Sequence, residues 1–110
     1  MNGDAAVNED EQAVFIYLDA ARLPHEIYEQ YDLVTLEEQI DEMLSKSGVG
    51  ELDGNEYGED YVQLFLYGPD AQALFAEIEP ILRNYPLCKN ARVVLRLGEN
   101  GSSSKEFLLQ

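Results

Sequence analysis

The carboxylate-rich stretch from Asp53 to Asp60, Asp-Gly-Asn-Glu-Tyr-Gly-Glu-Asp, is the first place where residue types and spacing could bind a ligand. Asp53, Asn55 and Gly58 stand at the first, third and sixth positions of a calcium-binding loop. The twelfth position, where such a loop needs a bidentate glutamate, is Leu64. We therefore predict the end of a strand and a solvent-exposed hairpin turn here, and no metal site.

Two further reactive side chains, His25 and Cys88, each occur once in the chain. A histidine beside Glu26 could act as a general base, but no serine or cysteine lies in a recognisable nucleophile motif. A single cysteine excludes an intrachain disulfide and a cysteine zinc cluster. We interpret His25 as a surface loop residue and Cys88 as a small apolar residue near a helix end. The sequence thus predicts no catalytic residue, no metal and no cofactor.

Charge limits the partners that this chain of 110 residues can have. It has 22 acidic and 7 basic residues, for a net charge of −15. A negative field of this size repels nucleic acids and anionic membranes, so we expect neither as a partner. It would attract a basic protein, although acidity can also serve only to keep a small protein soluble. Without a long apolar run or a secretory signal, we expect a soluble, cytoplasmic protein.

Strand-forming residues and turn residues divide the chain into one domain with two tails. Four segments are predicted as strands: 13–19, 50–55, 61–67 and 91–97. Between the second and third strands we predict a hairpin turn, in which Gly58 is able to take a positive φ. Residues 1–12 are predicted to be a disordered acidic tail, residues 13–98 the domain, and residues 99–110 a flexible C-terminal segment. The apolar end of that segment, Phe107-Leu108-Leu109, could pair with a sheet edge or a neighbouring chain.

Two helices are predicted between the strands. Thr35 begins a capping-box pattern, Thr-Leu-Glu-Glu, so we predict a helix that starts there and ends at Gly48. Asp70 is the predicted N-cap of the second helix, and Pro80 is expected to kink or break it. Residues 20–33 fit either a loop or a short helix. The order strand, helix, strand, strand, helix, strand predicts an α+β fold, a two-layer α/β sandwich of ferredoxin-like βαββαβ type with an antiparallel sheet.

Residues 50–98 also carry a resemblance to a known group of proteins. The segments Gly-Glu-Leu-Asp-Gly-Asn-Glu, Leu-Phe-Leu-Tyr-Gly-Pro-Asp-Ala and Val-Val-Leu-Arg-Leu-Gly resemble a family of small uncharacterised bacterial proteins with a ferredoxin-like α/β sandwich. The resemblance implies a shared fold. It attaches no activity and transfers no functional residue.

The open face, the side of the sheet that the two helices leave uncovered, is the predicted binding surface. Strand alternation assigns the aliphatic residues to the helix side and an aromatic and arginine set to the open face. The predicted binding residues are Phe15, Tyr17, Tyr61, Phe65, Tyr67, Arg92 and Arg96. Tyr and Arg are enriched at protein interfaces, and the aromatic-glycine signature of an RNA-recognition module is missing.

Three functions follow from these features. We expect a non-catalytic binding or regulatory domain that self-associates as a homodimer through the open face. The first alternative is an acidic inhibitor or immunity-type protein that binds a basic partner protein. The second is a cofactor-independent small-molecule enzyme, in which Tyr17, Tyr67, Arg92 and Arg96 would line the pocket. The C-terminal segment could also simply cover the open face.

Overall fold

The computed structural model describes residues 11–21, 25–98 and 103–109, without the side chains of His25 and Tyr28. It has the predicted α+β class: a five-stranded antiparallel sheet and two long helices, compatible with an α/β sandwich. The strands are β1 (Gln12–Asp19), β2 (Glu51–Tyr57), β3 (Tyr61–Gly68), β4 (Arg92–Leu97) and β5 (Ser103–Leu108). The helices are α1 (His25–Gln30), α2 (Leu33–Ser47) and α3 (Ala71–Asn84), and a 3₁₀ turn covers Pro86–Cys88.

The sheet order is β2-β3-β1-β4-β5, and every neighbouring pair is antiparallel. Along the central strand β1, Val14, Ile16 and Leu18 are fully buried, whereas Phe15 and Tyr17 on the other side are half-buried. The buried side packs in one core cluster with apolar residues of α2 and α3. The division of β1 into an aliphatic and an aromatic side therefore follows the predicted alternation.

Helix α2 begins before the predicted position. Its N-cap is Asp32, whose Oδ1 accepts a hydrogen bond from the Thr35 backbone N–H at 2.9 Å. The predicted capping box at Thr35 is wrong, because an aspartate three residues earlier satisfies that N–H and moves Thr35 into the first turn. Hydrogen bonds from the Thr35 side chain and backbone hold the pKa of the Asp32 carboxyl below its usual value. The helix ends as predicted at Gly48, which has a φ of 73°.

Helix α3 begins at the predicted N-cap, Asp70, whose carboxylate accepts hydrogen bonds from the backbone N–H groups of Gln72 and Ala73. It then continues through Pro80 to Asn84 without a break. The Asn84 side-chain amide donates to the Pro80 carbonyl at 2.7 Å. One missing backbone donor near the end of an otherwise well-packed helix does not terminate it.

The turn between β2 and β3 differs from the prediction at Gly58. Among the described glycines, positive φ values occur at Gly48 and Gly98, so Gly58 does not use the positive φ that the prediction allowed. A side chain at Gly58 would instead collide with the ring of Tyr61. The backbone N–H of Gly58 donates to the Tyr61 carbonyl at 2.9 Å. A larger residue at this position would therefore require the Tyr61 ring to shift.

Both predicted tails contribute ordered strand residues. β1 already begins at Gln12, whose side-chain oxygen accepts a hydrogen bond from the Ala71 backbone at 2.8 Å; the predicted tail at residues 1–10 lies outside the described residues. In place of a flexible segment at 103–108, the structure has strand β5, paired with β4. Leu109 follows it into the core with 2% of its surface exposed. β5 lies at the edge of the sheet, where polar residues are usual and the strand pattern is weak.

Candidate interaction face

Three rows of side chains cross the open face, because residues paired directly across antiparallel strands point to the same side. Each row runs from β2 through β3, β1 and β4 to β5. The Tyr17 row consists of Glu56, Gln63, Tyr17, Arg92 and Leu108. The Phe15 row consists of Gly54, Phe65, Phe15, Val94 and Glu106. The Ala13 row consists of Glu51, Tyr67, Ala13, Arg96 and Ser104.

Aromatic rings contact one another edge to face in the middle of this surface. The Phe15 ring centroid lies 5.6 Å from that of Phe65 and 6.2 Å from that of Tyr67. Tyr17 and Tyr61 form a second pair at 5.5 Å. Edge-to-face pairs contribute about 0.5–1.5 kcal/mol beyond the burial of their area, so the rings support one another in fixed positions.

Arg92 is held in place by two neighbours. Its guanidinium lies 4.2 Å from the centroid of the Tyr17 ring, and its Nη1 donates to Glu106 Oε2 at 2.8 Å. The cation therefore stacks on one ring and pairs with a carboxylate of β5 while its side chain stays about half exposed. An arginine fixed in this way can bind a partner with little additional loss of side-chain entropy.

The Tyr67 end of the open face is negative. Burial raises the pKa of the Tyr67 phenol, and the carboxylates of Asp53 and Glu11 raise it further. Glu51 on β2 is paired directly with Tyr67. The phenol therefore keeps its proton at neutral pH and can donate a hydrogen bond, while the surrounding carboxylates favour a cation above it.

Gln63 is a member of the Tyr17 row that the predicted binding set does not contain. It is 9% exposed although it points to the open face, because Tyr17 and Glu56 flank it on the neighbouring strands. Among the described residues, no hydrogen bond reaches its side-chain amide. In the sequence, Gln63 could have been identified because it is a polar residue in the centre of a strand of aromatic and aliphatic residues.

The seven predicted residues share the open face but form two contact groups. Phe15, Phe65 and Tyr67 make one group, and Tyr17, Tyr61 and Arg92 make the other. Arg96 is exposed on β4, in the Ala13 row. The rows thus place arginines on the β4 side, aromatic rings in the centre and glutamates on the β2 side, with one further glutamate, Glu106, on β5.

The other reactive residues do not join this surface. The side chain of His25 lies outside the described part of the chain. Cys88 is 1% exposed, and burial raises the pKa of its thiol to about 12.

The Asp53–Asp60 stretch lies on β2 and the following turn, where Asn55 Nδ2 donates to Glu37 Oε2 of α2 at 2.6 Å. Within the described residues, no three His, Cys, Asp or Glu side chains are grouped as metal ligands would be.

None of the helices in the described part of the chain has the length and apolar character needed to cross a membrane. Comparison of the chain with protein-family models, with curated proteins and with solved structures gave no match. The fold and the open face therefore provide the grounds for a functional proposal.

Proposed function

We propose that the protein is a non-catalytic binding or regulatory domain that contacts another protein molecule through the open face. One observation carries this proposal: two groups of aromatic rings, one of them with a stacked arginine, lie together on the side of the sheet opposite α2 and α3. Tyrosine and arginine are the residues that contribute most at the centre of protein interfaces. The absence of nucleic-acid and membrane partners and the cytoplasmic location stay predictions.

The strand order supports a ferredoxin-like assignment for the first four strands. β3 lies between β1 and β2, and β1 lies between β3 and β4, as two interleaved split βαβ units require. We propose that β5 extends this arrangement by one strand. Because both long helices then cover the same side, the opposite side is left for a partner.

Photo-crosslinking in the cell would test the proposed surface. A photoactivatable phenylalanine analogue at Tyr61, which is 38% exposed on the open face, should give a covalent adduct with a protein. The matched control is the analogue at Tyr57, which is 69% exposed and is paired with Val62 of the helix side. Adducts at Tyr57 without adducts at Tyr61 would contradict the proposal.

The second candidate is an acidic inhibitor that binds a basic protein, and the acidic surface of α2 favours it. Glu38, Asp41 and Glu42 are exposed on this helix, and Lys46 approaches Glu42 no closer than 4.0 Å. An analogue at Val34, which is 60% exposed on α2, would report such a partner. Adducts at Val34 that disappear at high salt would favour the acidic inhibitor.

The enzyme alternative requires a pocket between Tyr17, Tyr67, Arg92 and Arg96. Grooves of about 420 Å³ lined by the described residues lie elsewhere, one of them beside α3 between Gln39 and Tyr85. The aromatic rings of the open face are instead packed against one another. The geometry of this face therefore favours binding over catalysis.

A further inference from the structure

Charge changes sign across the open face, and this pattern bears on which partner fits it. The β4 side carries Arg92, which is ion-paired with Glu106 of β5, and Arg96, whereas the β2 side carries Glu56 and Glu51 in the same two rows. The strands between them carry the aromatic rings. A surface whose one side is basic and whose other side is acidic can be complementary to itself.

Two sheets that pack face to face lie about 10 Å apart with their strands within about 30° of each other. Two orientations of a two-fold axis between them are available. An axis across the strands sets β4 above the partner's β4 and therefore arginine above arginine. An axis along β1 sets β1 above the partner's β1, β4 above the partner's β3 and β5 above the partner's β2.

We propose that the partner bound by the open face is a second copy of this chain, related by a two-fold axis nearly parallel to β1. This inference rests on the proposed function. The axis keeps each row at its own level, so Arg96 lies above the partner's Tyr67, with the partner's Glu51 one strand spacing further, about 4.8 Å. The Tyr67 end, where Asp53 and Glu11 add negative charge, thereby receives a cation.

The Tyr17 row gives an independent reason for the same arrangement. Arg92 lies above the partner's Gln63 and beside the partner's Glu56, so its guanidinium can donate to the amide oxygen of Gln63. That amide is nine-tenths buried and has no hydrogen bond among the described residues. A buried polar group without a partner is costly, and the dimer supplies the missing donor. At the axis, Phe15 meets the partner's Phe15.

The test reverses the charge at position 96 in one variant and at position 51 in another. The dimer is then measured by light scattering and analytical ultracentrifugation across a wide range of protein concentration. The wild-type chain should form a dimer. Arg96→Glu and Glu51→Arg should each weaken it roughly tenfold or more, because each places like charges opposite each other. An equimolar mixture of the two variants should restore dimers, since Glu at position 96 of one copy then lies within one strand spacing of Arg at position 51 of the other. Both residues are exposed, and urea unfolding of each variant checks that its fold is retained.

Matched controls change charge by the same amount away from the open face. Lys89→Glu and Glu38→Arg alter exposed residues of the turn after Cys88 and of α2, and they should leave the dimer unchanged. A wild-type chain that stays monomeric, or a mixture that fails to restore dimers, overturns this inference. If crosslinks from Tyr61 then reach a different protein, the proposed function still holds. A dimer that no change on the open face weakens would overturn this inference, and it would contradict the proposed function as well only if Tyr61 gave no adduct.

Discussion

The Cys88 thiol gives the folded chain a specific response to alkaline pH. Its pKa is raised from 9.0 to about 12 by burial, so the folded state keeps a proton that the unfolded state releases. Ionisation of this thiol therefore leaves the free energy of unfolding unchanged below about pH 9. Between the two pKa values it lowers the free energy of unfolding by about 1.4 kcal/mol per pH unit. Cys88→Ala removes this group and its pH dependence.

Urea unfolding of both chains at about pH 8 and about pH 10 checks this prediction. Between these two conditions the wild-type chain should lose about 1.4 kcal/mol more of its free energy of unfolding than Cys88→Ala. Other groups that titrate in this range are common to both chains and cancel in the difference. An equal loss in the two chains would show that the thiol ionises equally well in the folded state.

Gly50 is a second residue whose environment makes a specific prediction. A Cβ at this position would lie 2.6 Å from the carbonyl oxygen of Tyr67 and 3.0 Å from Cδ1 of Leu74. Gly50→Ala should therefore lower the free energy of unfolding by about 1–3 kcal/mol, the usual cost of overpacking. Gly54→Ala is the matched control, because nothing lies within 4 Å of the added Cβ. Equal stability of the two variants in urea would contradict the predicted close approach.

At the level of secondary-structure elements, β5 shows what joins the C-terminal residues to the fold. The backbone N–H of Leu109 donates to the Ala91 carbonyl at 2.8 Å, and the Phe107 ring contacts Phe75 of α3 at a centroid distance of 5.1 Å. Leu109 is 2% exposed, whereas the preceding Leu108 is 58% exposed. Truncation of Leu109 therefore tests packing of the C-terminal end in the core, whereas truncation of Leu108 tests only the loss of an apolar group from the surface.

Leu109→Ala should therefore destabilise the protein by about 2–4 kcal/mol, because it leaves a cavity in the core. Leu108→Ala removes the same atoms from solvent-exposed surface and should change stability by less than about 0.5 kcal/mol. Thermal and urea unfolding at low protein concentration measure both. If neither variant loses stability, β5 adds nothing to the fold and the C-terminal segment behaves as the flexible tail that its composition suggests.

Elements with strong local patterns could be predicted from the sequence, and those that depend on distant partners could not. Strand β3 and the N-cap Asp70 have such patterns, and both were predicted correctly. The start of α2 was misplaced because Asp32 and Thr35 both fit the cap position, and the hydrogen bond at 2.9 Å decides between them. The edge pairing considered for Phe107-Leu108-Leu109 holds for Phe107 and Leu108, whereas the polar first part of β5 was predicted as flexible because alternation within 103–106 does not encode its pairing with β4.

The candidate site shows the same limit. Alternation identified the aromatic and arginine residues of β1, β3 and β4, but the acidic side of the open face depends on the register of β2. That register shifts between Leu52 and Gly54, so Glu51 and Glu56 lie on the same face although they are five positions apart in sequence. A regular strand would have placed the two glutamates on opposite faces. The self-complementary charge pattern therefore became visible only with the sheet pairing.

At the scale of the whole molecule, two properties oppose each other. The chain carries a net charge of −15, which disfavours the approach of a second copy. Its open face presents aromatic area and oppositely charged sides, which favour such a contact once the copies meet. Long-range repulsion is screened by salt, whereas the packing of aromatic rings is not.

Salt should consequently tighten the proposed dimer. When the NaCl concentration rises from about 0.02 M to about 0.5 M, the Debye length falls from roughly 20 Å to roughly 4 Å. Repulsion between two chains of charge −15 then weakens more than the few Arg–Glu contacts across the interface do, so the dimer fraction measured by sedimentation should increase. A complex with a basic protein should respond in the opposite direction, because its attraction is screened. Dissociation of a wild-type dimer on addition of NaCl would mean that ion pairs, rather than the aromatic centre of the open face, hold the two copies together.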